Sequence, residues 1–271
     1  MELLLGKPDA DSIKETLISE IAKCERKPKL VILLNTEDSS SKGYANALHK
    51  YGLSINVDVE IIEMTQDEEE YLNTINKLNN DKSVDAVLIS RPLNKSLNEN
   101  KIISSLSYKK DVDGINHISL GKLFVGDESL VPNTANAICK MLEYYNIPLK
   151  GKKVLVVGRS LSVGKPVSML LLNRHATVTI AHSRTENLND ELGKYDIVIA
   201  AIGKPHLIKA EYMKDGAVCI DAGIHYLEEG IIGDVEPNEK LSFISKVPGG
   251  VGPITNACLM MNVLSCYRLN K

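Results

Sequence analysis

Apolar residues recur along this chain with two periods. Over ADSIKETLISEIAKC the spacing is close to that of an amphipathic helix. LVILLN, VEIIEM and DAVLIS are instead short, nearly continuous apolar runs, separated by helical segments around Tyr44 and over DEEEYLNTINKLNND. Such runs are what strands buried on both faces look like. A second stretch repeats the scheme, with KKVLVVG, ATVTIAH, YDIVIAAIG and AVCIDAGI as buried strands and helices between them. NTANAICKMLEYYNIPLKGK predicts a linking helix ended by Pro148 and Gly151, and TNACLMMNVLSCYRLN predicts an apolar terminal helix. Buried strands joined by helical crossovers are an α/β, parallel-sheet architecture. The two stretches predict two α/β lobes with a cleft between them.

Composition narrows the class. A length of 271 residues suffices for one large or two modest domains, and a net charge of −3 with scattered basic residues argues against a nucleic-acid or membrane surface. With no tryptophan and 2 phenylalanines, the core is aliphatic. Cys24, Cys139, Cys219, Cys258 and Cys266 form no CxxC pair, so free thiols in a reducing cytoplasm are expected rather than disulfides or structural zinc. His49, His175, His206 and His225 lack ligand spacing, so no metal is expected. The N-terminus does not read as a signal peptide, and no apolar run reaches the ~20 residues of a membrane span.

KKVLVVG runs into GRSLSVGKPVSMLLL, a strand–loop–helix unit with glycines at 158 and 164. Such a loop turns backbone N–H groups and a helix start toward a phosphate. It is not GxGxxG, and alone it reads equally as a plain turn. The next strand ends in His182-Ser183-Arg184, where an NAD-binding fold would carry a carboxylate for the ribose hydroxyl. Arg159 and Ser183 suit a 2′-phosphate instead, which favours NADP over NAD. VPGGVGPIT at 247–255 combines glycines that permit close backbone approach with stiffening prolines.

Taken in order, KDVDG at 110–114, GRSLSVGKP at 158–166, HSRT at 182–185, AIGKP at 201–205, DAGI at 221–224, GDV at 233–235 and PGGVGP at 248–253 form a recognisable series. This series resembles the bifunctional methylenetetrahydrofolate dehydrogenase/methenyltetrahydrofolate cyclohydrolase family of FolD type, over essentially the whole chain. The resemblance implies a folate-binding lobe at 1–135, completed by a C-terminal helix at 255–271, and a Rossmann-like NADP lobe at 136–254, usually paired as a homodimer. It implies tetrahydrofolate derivatives as substrates. Gly158, Arg159, Ser160, Ser183 and Ile224 match cofactor positions. Asp113 matches the aspartate that holds the pterin, and a carboxylate can accept two side-by-side hydrogen bonds from an amino-pyrimidine edge. Gly249 and Gly250 lie in the loop beside folate and nicotinamide.

The chain departs from that family at one place above all. SSSKGYANALHKYG at 39–52 reads as a polar loop entering a short helix. Ser41 and Tyr44 match the family's Ser-x-x-Tyr, but the lysine four residues on is Leu48. Counted back from Gly52-Leu53, the lysine position falls on Tyr44 itself. Neither register supplies a lysine. The family's glutamine before Leu-Pro-Leu is Ser90, followed by Arg91, and Asn133-Thr134-Ala135 replaces Cys-Thr-Pro. Hydride transfer needs no protein base, whereas hydrolysis of the methenyl product does. The expectation is therefore a dehydrogenase with weak or lost cyclohydrolase activity, Tyr44 and Ser90 contacting substrate. A fully bifunctional enzyme using His49, Lys50 or Arg91, and a binding protein without turnover, stay open.

Overall fold

The computed structural model describes residues 1–35, 39–65, 67–228 and 230–271. The chain opens with β1 (Glu2–Leu4) and α1 (Gly6–Ile21), followed by β2 (Lys29–Asn35), α2 (Ser39–Ser54), β3 (Asp58–Met64), α3 (Glu68–Asn80) and β4 (Ala86–Ile89). Two short helices, α4 (Glu99–Ser105) and α5 (His117–Phe124), precede α6 (Asn133–Tyr144). Then come β5 (Lys153–Val157), α7 (Gly164–Asn173), β6 (Thr177–Ala181), α8 (Leu188–Leu192), β7 (Ile197–Ala200), β8 (Ile208–Lys209) and β9 (Val218–Asp221). The hairpin β10 (His225–Leu227) and β11 (Gly230–Ile232), β12 (Val235–Glu236), β13 (Phe243–Ser245) and α9 (Val251–Leu269) complete it.

These elements gather into two compact units, Ile13–Val131 with Leu259–Lys271, and Met1–Ser12 with Pro132–Cys258. The first is built on a parallel sheet in the order β3-β2-β4. Side chains of β2 alternate between its faces, as strand geometry requires. Leu30, Ile32 and Leu34 join Ala45 and Leu48 of α2 and Met260 and Val263 of α9. Val31 and Leu33 join Tyr71 and Ile75 of α3 on the other side. Two covered faces explain the unbroken apolar run in LVILLN.

Helix α2 corrects the expected polar loop, because it already begins at Ser39. Ser41 and Ala45 are buried at 4% and 1% exposure, and with Leu48 and Gly52 they continue one small-to-apolar stripe at helical spacing. A Cβ on Gly52 would approach Val59 Cγ2 to 2.5 Å, so the helix seats tightly on β3.

The second unit carries a six-stranded sheet, β1-β13-β9-β7-β5-β6, parallel throughout. Residues 1–12, grouped with the first lobe in the sequence reading, cluster here because β1 pairs with β13, Glu2 opposite Phe243 and Leu4 opposite Ser245. Gly6 then donates its N–H to the Gly249 carbonyl at 2.8 Å. Cys139, Cys219, Cys258 and Cys266 are buried and Cys24 half-buried, all as free thiols. Among the described residues, no helix is long and apolar enough to cross a membrane.

Candidate active site

In the three-stranded unit, functional side chains converge where α2, the end of β4 and the turn after residue 110 meet. Tyr44 and Leu48 lie about 40° apart around a helix, yet their surroundings differ. Leu48 is completely buried in the aliphatic layer with Ile32, Leu34 and Leu88. Tyr44 keeps 39% of its surface exposed. Packing around its hydroxyl, and secondarily the Asp113 carboxylate, push its pKa up. The phenol therefore stays protonated throughout the physiological range.

Ser90 is buried, and its N–H extends the β4 pairing to the Leu33 carbonyl at 2.9 Å. Arg91 follows, with Nη2 donating to Asp113 Oδ2 at 3.4 Å and Nη1 lying 3.8 Å from Glu99 Oε1. The next carbonyl, that of Pro92, accepts from Asn35 Nδ2 at 2.8 Å, tying the end of β2 to this loop. Asp113 is presented by a turn that Asp111 organises. Asp111 is buried, accepts the Asn116 N–H at 2.7 Å, and forms a bridge with Val87 of β4. Gly114 takes a positive φ of 65°, the left-handed conformation that glycine adopts freely. Burial first, and the Asp113 charge second among the raising influences, lift the Asp111 carboxyl to about 7.

In the six-stranded unit the loop after β5 is shaped by close backbone approach. Gly158 has φ 131°, and a Cβ there would fall 2.1 Å from the Ala201 carbonyl oxygen. A Cβ on Gly164, the first residue of α7, would meet Gly158 O at 2.2 Å. Ser160 Oγ accepts from Val163 and Gly164 N–H at 3.1 and 3.3 Å, which orders the helix entrance and leaves its own proton to donate outward. Arg159 and Ser160 are exposed. After β6, His182 N–H donates to Thr185 Oγ1 at 2.9 Å, and this tight turn presents exposed Ser183 and Arg184.

A second carboxylate network holds the neighbouring loops. Asp234, fully buried, accepts from the N–H groups of Ile202, Gly203 and Lys204 at 2.8, 2.9 and 2.9 Å, and pairs with His225 Nε2 at 2.8 Å. Asp221 accepts from Gly223, Asp234 and Val235 N–H at 2.8, 3.0 and 2.9 Å. Ile224, between these anchors, is 52% exposed. Gly249 and Gly250 pack on Gly6, whose Cβ would fall 1.7 Å from Gly250 O.

Residues 132–271 match the family description "Tetrahydrofolate dehydrogenase/cyclohydrolase, NAD(P)-binding domain", and residues 4–113 match its "catalytic domain". The chain belongs to the tetrahydrofolate dehydrogenase/cyclohydrolase family. The bifunctional protein FolD of Clostridioides difficile strain 630 is 42% identical over 278 residues, covering 99% of this chain and 97% of that relative. The crystal structure of the FolD dehydrogenase/cyclohydrolase from Campylobacter jejuni is 34% identical with a TM-score of 0.95, covering 99% of both chains. That of the Trypanosoma brucei FolD, complexed with NADP cofactor and an inhibitor, is 28% identical with a TM-score of 0.92, covering 98% of this chain and 97% of that one.

Within this family frame the six-stranded unit suits a dinucleotide phosphate. Glycines leave room for backbone approach, the N-terminus of a 10-residue helix faces the loop, and the β6 turn offers a guanidinium and a hydroxyl without a carboxylate. Tyr44, Asp113 and the end of β4 share one site in the catalytic unit, whereas Leu48 is in the core. Arg184, not singled out as a site residue in the sequence, is exposed beside Ser183 in the same turn. The pairing of His225 with Asp234 has no sequence signal, because the partners meet only through the hairpin.

Proposed function

We propose that this protein is an NADP-dependent methylenetetrahydrofolate dehydrogenase whose cyclohydrolase activity is weak or lost. Asp113 receives the amino-pyrimidine edge of the pterin on its two oxygens. Tyr44 packs against the folate and keeps its proton, and Ser90 borders the same site. NADP⁺ supplies the hydride acceptor at nicotinamide C4. Gly158, Ser160, Ile224, Arg159, Ser183 and Arg184 would hold it, and the backbone of Gly249 and Gly250 closes the loop beside Gly6. Hydride leaves the methylene carbon as a cation that its two flanking nitrogens stabilise, so this step asks the chain only for orientation and dryness.

Hydrolysis asks for a group that moves a proton, and one observation carries its loss. The side chain beside Asp113 on α2 is a tyrosine whose pKa is driven up, not down. Positions 41, 47, 48 and 51, its neighbours on that helix face, are Ser, Ala, Leu and Tyr. Of the substitutes, Lys50 lies about 120° around the helix from Tyr44, and Arg91 is a guanidinium that gives up no proton. Register counted from Gly52 puts Tyr44 in the lysine's place, which the burial of Leu48 in an aliphatic layer supports.

Purified protein given 5,10-methylenetetrahydrofolate and NADP⁺ tests this. NADPH is followed by its near-ultraviolet band, and 5,10-methenyltetrahydrofolate by its own decay. NADPH formation with methenyl decay at the buffer rate is the expected result. Enzyme-dependent decay would show a working cyclohydrolase, and NADP⁺ binding without NADPH formation would show a binding protein. A homodimer formed through the NAD(P)-binding unit, and a cytoplasmic location consistent with its buried thiols, complete the reading; light scattering tests the first.

A further inference from the structure

Arg91 brings a cation to the end of β4, at the place of the first leucine in the Leu-Pro-Leu of the resemblance. Its guanidinium is poorly held. The contacts to Asp113 Oδ2 at 3.4 Å and Glu99 Oε1 at 3.8 Å are both long for charge-assisted pairs, which close to about 2.7–2.9 Å. Its Nε is buried without a hydrogen-bond partner, a cost that a well-seated arginine avoids. The guanidinium thus sits between two carboxylates and is optimally bonded to neither.

An amino-pyrimidine edge bonds a carboxylate through both oxygens at once. Arg91 already bonds one of them. We infer that the Arg91–Asp113 ion pair competes with the pterin, and that folate enters only as Arg91 leaves Asp113 for Glu99. Arg91 is an affinity-determining residue and not a catalytic one. This rests on the proposed role of Asp113 as the pterin anchor. Glu99 is exposed at the start of α4 and is a ready second seat.

Competition has a signature of its own. Salt screens the ion pair but scarcely affects a ligand without charge. Binding of 6-methyltetrahydropterin, which lacks the anionic folate tail, should therefore strengthen as ionic strength rises. The experiment is anaerobic calorimetry of that pterin with the full chain, comparing wild type, Arg91→Leu, Arg91→Gln, Asp113→Asn and the two double variants. Arg91→Leu and Arg91→Gln are expected to bind about two- to fivefold more tightly, the range of a partly exposed pair, and to lose the salt effect. In the Asp113→Asn background neither should add affinity. Equal or weaker binding by both Arg91 variants, or a gain that persists without Asp113, overturns the proposal. Unchanged binding by Asp113→Asn alone overturns the anchor reading together with it, whereas lost binding there beside ungaining Arg91 variants overturns only the competition.

Discussion

The NAD(P)-binding unit shapes its loops with backbone. Gly158 faces the Ala201 carbonyl, and added Cβ atoms on Gly223 and Gly233 would come within 2.4 and 1.9 Å of the Asp234 and Asp221 carboxylates. Each of these positions is locked by sterics to the conformation of another loop. The catalytic unit arranges its site differently, with Tyr44, Ser90, Arg91 and Asp113 projecting from separately buried frames. Tyr44, Arg91 and Asp113 are not fully buried, so exchanging one of them should leave β2, β4 and α2 packed as they are. A site made of backbone changes only with its fold, while a site made of side chains can lose one chemistry and keep the fold. That is the pattern the proposed reading calls for, in which the cofactor loops are kept while the hydrolytic groups differ.

The sharpest way to break this contrast is to introduce the lysine and glutamine that the proposed reading holds to be missing. Tyr44→Lys with Ser90→Gln should raise hydrolysis of 5,10-methenyltetrahydrofolate by about 10²-fold or more, within the range general acid–base groups supply. The reading is decay of the methenyl absorbance at fixed enzyme concentration, with dehydrogenase turnover measured in parallel. No gain would mean that position 44 is not where the base belongs. Gly158→Ala probes the other side. Overlap with Ala201 O and a φ that alanine resists should cost about 2–5 kcal/mol, seen as a lower denaturant midpoint and as lost NADP⁺ binding. Hydrogen exchange should find β2 and β4 still protected, because the damage belongs to the other unit.

Why the sequence revealed one half of this contrast better than the other is a matter of which interactions are local. Continuous runs such as LVILLN and KKVLVVG mark strands whose two faces are covered, and the glycine spacing of 158–164 marks a loop in which side chains do not fit. β1 and β13 are three residues each and become strands only by pairing across the chain. The register of Tyr44 and Leu48 is not decided by SSSKGYANALHKYG, since either residue can stand at the lysine position. Burial of Leu48 against Ile32 and Leu34 is a tertiary fact. Arg91 with Asp113, and His225 with Asp234, likewise meet through folding alone.

Asp111 gives a smaller effect with a defined pH sign. Its carboxyl titrates near 7 in the folded chain and near 4 when unfolded. Between those values the native state holds a proton that the unfolded state has lost, so stability falls as pH rises through the window and the full penalty stands above it. Asp111→Asn keeps an acceptor for the Asn116 N–H and removes the ionisation. Its urea stability should decline less from pH 4 to 8 than that of the wild type, because the buried Asp9 and Asp221 carboxyls are raised as well, with a gain at pH 8 of about 1–4 kcal/mol. A wild type whose stability rises over the same window would show that Asp111 is held ionised.

The smallest predicted effect tests the backbone claim most directly. His225 is the side-chain partner of Asp234 in a network whose other named donors are backbone N–H groups, and its bond to Asp234 is short at 2.8 Å. If backbone donors hold these loops, His225→Ala should matter little to NADP⁺ binding, because Asp234 retains the N–H groups of Ile202, Gly203 and Lys204. One lost hydrogen bond to a carboxylate that remains satisfied should cost about 1.5–3 kcal/mol, with NADP⁺ affinity within about threefold of wild type. Denaturant midpoint and NADP⁺ titration measure both. A larger loss in affinity than in stability would place a side chain among the determinants of this loop and narrow the contrast between the units, since removing His225 leaves every one of those backbone donors in position.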